Sequence, residues 1–177
     1  MSRLIIPVDS SDHVRGAADA PVTLVEYGDY ECPFCGEAYD LLKDVQRAMG
    51  DKLRFVFRNF PIAEAHPHAV HAAEFAEEAG RQGLFWPAHD MLYENQSALS
   101  DDDLRDYGQR IGLDVSELRN AFNGRFTEKI RKDFLGGVRS GVNGTPTLFI
   151  NGIRYDGPRD AGNMIMALNE AAHISAT

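Results

Sequence analysis

Val22-Thr-Leu-Val-Glu-Tyr-Gly-Asp-Tyr-Glu-Cys-Pro-Phe-Cys35 runs from an apolar strand into a helix and places Cys32 at the joint. Pro33 suits a first helical position, where the N–H it lacks has no partner anyway. Cys32 then stands at a helix N-terminus, where free N–H groups and the macrodipole favour an anion. A thiolate is such an anion, and it is the reactive form of cysteine. Cys35 follows one turn later and is expected to be more buried, as the resolving partner of an accessible Cys32. The pair reads as a redox dithiol.

Two other readings of the pair are weaker. A disulfide across a two-residue gap closes almost no loop and gains little by doing so. A four-cysteine zinc site is excluded, because the chain holds only two cysteines. A mixed site would recruit His66, His68 or His71, whose spacing fits no common zinc pattern. On a helix starting near Pro67, His68 and His71 lie one turn apart, but they read as solvated residues at a helix start. The expectation is no metal and no cofactor.

Cys-Pro-x-Cys after an apolar strand, with Gly141-Val-Asn-Gly-Thr-Pro-Thr147 far downstream, resembles the thioredoxin superfamily. The long helical sequence between the motifs is similar to its DsbA-like branch. The entry segment, from Asp12 through Ala20-Pro-Val-Thr-Leu-Val to Cys35, resembles many bacterial members. The resemblance implies an α/β thioredoxin fold, a central mixed sheet flanked by helices, with an inserted all-helical subdomain. It implies thiol–disulfide exchange by Cys32 and Cys35. It places an acidic residue under the dithiol at the offset of Glu26, where burial would raise its pKa and fit it to exchange protons with Cys35. The alternative for Glu26 is a strand-end carboxylate that reaches solvent. The resemblance also makes Thr145-Pro146 a cis bond facing the dithiol, ready to orient an extended substrate, where an ordinary X-Pro bond is trans. Phe34 joins Thr145 and Pro146 as a candidate substrate contact. Strongly oxidising members carry histidine there, and phenylalanine offers the thiolate no charge. Asp29 and Glu31 flank the pair and are expected to oppose a Cys32 thiolate. Together these predict an intermediate to reducing potential.

Composition bounds the rest. A chain of 177 residues with 44% apolar content can bury one sizeable core. A net charge of −9 and a pI near 5.1 argue against nucleic acid or anionic membrane as partner. No stretch approaches the ~20 apolar residues of a membrane span. Met1–Val8 carries too brief an apolar run for a signal-peptide core, so the expectation is cytoplasmic. A processed or trimmed form would instead be periplasmic or extracellular. Expected partners are protein or small-molecule thiols and disulfides, with a redox partner such as glutathione or thioredoxin. Alternatives are a reductase or isomerase of glutathione-type disulfides, a module whose cysteine pair holds a metal or iron–sulfur cluster, and a holdase without turnover.

In order along the chain, residues 3–8 read as a short edge strand limited by Pro7, and 9–20 as a loop. Val22–Tyr27 is a central strand, and Ala38, Leu41, Leu42, Val45 and Met49 share one helix face, with Gly50 as a cap. Leu53, Phe55 and Phe57 alternate on a second strand. Residues 63–138 are helical throughout, with Ser100 as an N-cap and Asp114–Glu117 as a capping box. Their aromatic residues read as core. Asn151-Gly152 marks a hairpin, and Gly157-Pro158 opens a last helix. The domains are thus 1–62 with 139–177, thioredoxin-like, interrupted by a helical insertion, 63–138, that covers the dithiol side.

Overall fold

A strand covered on both faces and flanked on both edges has to be apolar almost without interruption, and β2 (Val22–Gly28) meets that demand with every residue but Thr23 buried. The computed structural model describes residues 2–175. In it β2 is the centre of a five-stranded sheet of order β1-β3-β2-β4-β5. β3 (Leu53–Asn59) lies parallel to it, with Val22 opposite Leu53 and Gly28 opposite Asn59. β4 (Thr147–Ile150) runs antiparallel on the other side and sets Leu148 opposite Glu26. β5 (Ile153–Tyr155) pairs with β4 through the predicted hairpin. Asn151 and Gly152 there have φ of 44° and 79°, the positive values that a tight hairpin turn demands.

The edge strand does not fall at residues 3–8. Only Arg3 bridges Ile153, at the β5 edge, whereas β1 (His13–Arg15) pairs antiparallel with β3 inside the stretch read as a loop. The reason lies in Arg58. Its guanidinium takes the carbonyls of Ile6 at 2.8 Å and Pro7 at 3.0 Å, so this segment answers a side chain rather than a strand. His13 is fixed from the far side, paired with Glu77 and stacked on Phe85 at 3.6 Å.

Helix α1 (Pro33–Met49) buries Ala38, Leu42, Val45 and Met49 against the sheet. After β3 come α2 (Ala69–Arg81), α3 (Phe85–Glu94), α4 (Asp101–Ile111), the short α5 (Leu118–Asn120) and α6 (Thr127–Arg139); α7 (Ala161–Ser175) follows β5. Ser100 and Asp103 form a reciprocal capping box on α4. Asp114 caps the turn after it by accepting from the Ser116 N–H, but Glu117 does not reciprocate, because it pairs with Arg125 at 2.6 Å.

The alternation along the strands sorts the core. Leu24, Leu53, Phe55 and Phe57 meet Leu42 of α1 and Phe75, Leu92 and Leu104 of the later helices in one continuous cluster. Val25, Tyr27, Val56 and Phe149 face the other way with Phe60 and Val142. Arg58 enters this second face as a buried charge. Its Nε and Nη2 each donate to an Asp12 carboxylate oxygen at 2.8 Å, both side chains being 3% exposed. Removing one partner of such a pair leaves the other charge buried alone. Arg58→Ala is therefore expected to lower unfolding free energy by about 3–5 kcal/mol, measured by urea titration. Arg58→Met combined with Asp12→Leu is expected to recover most of that loss.

Candidate active site

β2 ends at Gly28, and within four residues the chain turns and starts α1 with Cys32 as its N-cap and Pro33 in its first turn. The Cys32 carbonyl accepts the N–H of Cys35 and of Gly36, both at 3.1 Å. Its sulfur consequently faces Cys35. The Cys35 thiol donates to it, which outweighs burial and, with Thr145 and the N–H groups of Cys35 and Phe34, pulls the Cys32 thiol down to about 5. Cys35 moves the opposite way. Burial, the sulfur of Cys32 and the charge of Glu26 push it far above the ordinary thiol range.

The exposures differ from expectation. Cys32 is only 4% exposed and Cys35 not at all, while Phe34 between them is 63% exposed. What covers Cys32 is the loop before β4. Thr145-Pro146 is cis, and when protonated Cys32 donates to the Thr145 carbonyl at 3.4 Å. The Thr145 hydroxyl is buried on the same loop, and this side chain is the part of Thr145 that lowers the Cys32 thiol.

Asp29 and Glu31 do not hold the Cys32 pKa up, which corrects the expectation from the flanking charges. Asp29 accepts from the N–H groups of Glu31 and Ile62, both at 2.8 Å, and pairs with His66 at 2.7 Å. Glu31 accepts the His68 N–H at 2.6 Å. Both carboxylates are turned onto the segment leading to α2. The histidines are likewise dispersed: His71 pairs with Asp101 at 2.6 Å and stacks on Phe122.

Glu26 is 2% exposed, so it is not a strand-end residue in solvent. Burial raises its pKa to about 8, against the opposing charge of Arg159 and with help from Cys32. Its Oε1 has no hydrogen-bond partner among the described residues.

Three contributors escaped the sequence reading. Gln96, between α3 and α4, donates to the carbonyls of Tyr30 at 2.8 Å and Cys32 at 2.9 Å. It lies so close to α1 that a Cβ on Gly36 would be 2.0 Å from its Oε1. Arg159 donates to the Pro146 carbonyl at 2.9 Å, and with Phe34, Glu37, Ala38 and Leu41 it lines a groove of about 160 Å³. Tyr93 of α3 is buried near Tyr30, their rings 4.9 Å apart. None of the three sits in a motif; a glycine directly after Cys35 was the one trace of the Gln96 contact.

A family model described as Thioredoxin matches residues 9–170, and the chain belongs to this family. Among solved structures it is similar to BdbD from Bacillus subtilis in its oxidised form, at 24% identity and TM-score 0.84 over 97% of this chain and 98% of that one. A thioredoxin-like oxidoreductase from Silicibacter pomeroyi matches at 25% identity and TM-score 0.83, covering 93% and 94%. The thiol-disulfide exchange protein α-DsbA2 from Wolbachia pipientis matches at 22% and 0.81, covering 92% and 88%. The fold is thus the DsbA-like form of the thioredoxin fold, that of thiol–disulfide oxidoreductases. A curated relative, Na(+)/H(+) antiporter NhaA 1 of Salinispora arenicola, is 42% identical over 95% of this chain. The chain spans 26% of that relative's length. No helix among the described residues is long and apolar enough to cross a membrane.

The raised Glu26 pKa carries a stability consequence of definite sign. A carboxyl that resists ionisation in the folded chain loses stability as pH climbs from its ordinary 4.5 to about 8. In the oxidised protein, where no thiolate titrates, Glu26→Gln should gain on wild type by about 1.4 kcal/mol per pH unit across that window. Urea unfolding of both proteins from pH 4 to 8 measures this, and parallel stability curves would exclude it. A second expectation concerns the thiol pair. Alkylation of Cys32 in the reduced protein should be half-maximal near pH 5, and Cys35→Ala should move that midpoint upward because the principal donor is gone.

Proposed function

We propose that the chain is a thiol–disulfide oxidoreductase acting through the Cys32–Cys35 dithiol. The observation that carries this reading is the placement of the two thiols: Cys32 caps α1 against the cis Thr145-Pro146 loop, and Cys35, one turn on, is wholly buried, with the first thiol drawn down and the second pushed up. An inert pair gains nothing from that division. An exchange enzyme needs one thiolate to attack and one protected thiol to resolve.

The steps follow from those states. The Cys32 thiolate attacks one sulfur of a substrate disulfide, forms a mixed disulfide and releases the other sulfur as a thiolate. Cys35 then gives its proton to Glu26, attacks the Cys32 sulfur and expels the remaining substrate thiolate. The products are an oxidised Cys32–Cys35 pair and a reduced substrate; run backwards, the same steps oxidise a dithiol. Thr145 and Pro146 position an extended substrate segment against Cys32. Phe34, exposed beside the groove at Arg159, supplies an apolar contact. Substrates are protein or small-molecule disulfides and thiols, and electrons pass to or from a partner of the glutathione or thioredoxin kind.

A Cys32 thiol near 5 lies between the ~7 of thioredoxin and the ~3.5 of DsbA. Stabilising the thiolate stabilises the reduced form and makes the disulfide more oxidising. The expected potential lies between about −270 and −120 mV, and its measurement against a glutathione series decides the direction of exchange. A pair so poised works as an oxidant where the surroundings keep it oxidised. That favours the periplasmic or extracellular setting over the cytoplasmic one.

Variants test the division of labour. Cys35→Ser, incubated with a disulfide substrate, should accumulate a mixed disulfide on Cys32 visible by mass spectrometry. Cys32→Ser should trap at least tenfold less and lose turnover. Equal trapping by the two would refute the assigned roles, and preferential trapping by Cys32→Ser would reverse them.

A further inference from the structure

Below the dithiol the molecule keeps two buried polar atoms without hydrogen-bond partners among the described residues: Oε1 of Glu26 and the hydroxyl of Tyr93. Buried polar atoms are nearly always satisfied, so such a pair calls for an explanation. Both side chains are more than nine-tenths buried. They come from different layers, Glu26 from β2 and Tyr93 from α3, and they converge for a reason visible along the strand. Residues two apart on a strand share a face, so Glu26 and Gly28 point to the same side. Gly28 has no side chain, and the Phe57 ring and Tyr93 fill the room: a Cβ on Gly28 would meet the Phe57 ring and stand 2.9 Å from the Tyr93 hydroxyl. The fully buried Cys35, in the first turn of α1, is near enough to both to interact by charge with Glu26 and with Tyr93.

We propose that Tyr93 is a positioning residue for the resolving step: its hydroxyl and the Glu26 carboxylate together hold one water against the Cys35 thiol, and the thiol proton reaches Glu26 through that water. A buried water is stable where it has two to four polar partners, and here they are Glu26, Tyr93 and Cys35. The step balances. The Cys35 S–H bond breaks, its proton passes to the water, and a proton of the water passes to Glu26. The sulfur electron pair forms the bond to Cys32, and the substrate departs as a thiolate with the electrons of the broken S–S bond. Tyr93 donates to the water throughout and neither gains nor loses a proton.

The other titratable groups around this space have separate tasks. Tyr30 bonds His89 at 3.0 Å, Tyr39 donates to Glu94 at 2.8 Å, and Asp29 is held by His66. Cys32 and Arg159 bear on Glu26 by charge alone, with opposite signs. Burial holds the Tyr93 hydroxyl well above the usual tyrosine range, and the charges of Cys35, Glu26, Tyr30 and Asp29 add to that in this order.

The proposal rests on Cys35 as the resolving thiol, and its test separates the two. The experiment follows decay of a mixed disulfide preformed on Cys32 from pH 5 to 9, in wild type and Tyr93→Phe. Tyr93→Phe should slow decay several-fold at pH 7 and move the inflection due to Glu26 upward by about half a unit or more. The Cys32 alkylation midpoint should stay in place, which a general loosening of the site would not allow. In a Glu26→Gln background, Tyr93→Phe should add nothing further. Should Tyr93→Phe lower stability, Tyr93 fluorinated at both ring positions beside the hydroxyl keeps the ring and strengthens the donor. That protein must then shift the inflection downward. An unchanged decay profile, or effects that simply add in the Glu26→Gln background, overturns the proposal while Cys35→Ser still traps. Failure of Cys35→Ser to trap overturns the resolving role itself.

Discussion

The hydrogen bond from the Cys35 thiol to the Cys32 sulfur is the interaction on which the site depends, and it is a consequence of chain geometry. A strand that ends at Gly28 and a helix that begins at Pro33 set the two cysteines one turn apart at the helix start. The bond has direction. It lowers one thiol and, through the same proton, raises the other. Its asymmetry is sustained by burial: Cys35 keeps its proton because it lies out of bulk solvent, beside the Cys32 sulfur and the charge of Glu26. That protection creates a further requirement, since a thiol so reluctant to ionise needs a base within the same closed space. Glu26, held at about 8 by its own burial, is the base proposed above. A base of ordinary carboxylate strength would be too weak a proton acceptor near neutral pH.

The helices between β3 and β4 bear on this bond more closely than as a cover. Gln96 fixes the Tyr30 and Cys32 carbonyls from outside α1, and His66 engages Asp29. Without that pairing, a carboxylate three residues before Cys32 would stand free to repel the thiolate. These helices also share one apolar cluster with α1 and the sheet. A substitution in α3 can thus reach the dithiol through the packing of Phe57, His89 and Tyr93, whose rings lie within 4.7–6.4 Å of one another.

Much of the fold was legible because its signals are local. The apolar run at Val22–Tyr27, the alternation of Leu53, Phe55 and Phe57, the Asn151-Gly152 turn and the Ser100 cap each announce themselves within a few residues. The edge strand was not legible, because its position is decided by Arg58, about fifty residues later. Residues 3–8 are largely apolar and read as the strand, whereas the polar stretch from residue 9 reads as a loop. What reverses that reading is which carbonyls a distant guanidinium claims.

The same distinction governs the site. Cys32, Cys35 and Glu26 could be named from one stretch of sequence, and Thr145-Pro146 from a second motif. The sign of the electrostatic balance could not. Asp29 and Glu31 look hostile to a thiolate when read along the chain, yet a charge acts by where it points and what it bonds, not by its index. Asp29 meets two N–H groups and an imidazole. The groups that settle Cys32 are the Cys35 thiol and the side chain of Thr145, far along the chain on the loop before β4. An acidic chain can in this way carry a strongly stabilised thiolate. Its net charge of −9 is spread over a surface screened by solvent and salt, whereas the few oriented dipoles at Cys32 act at contact distance and largely out of water.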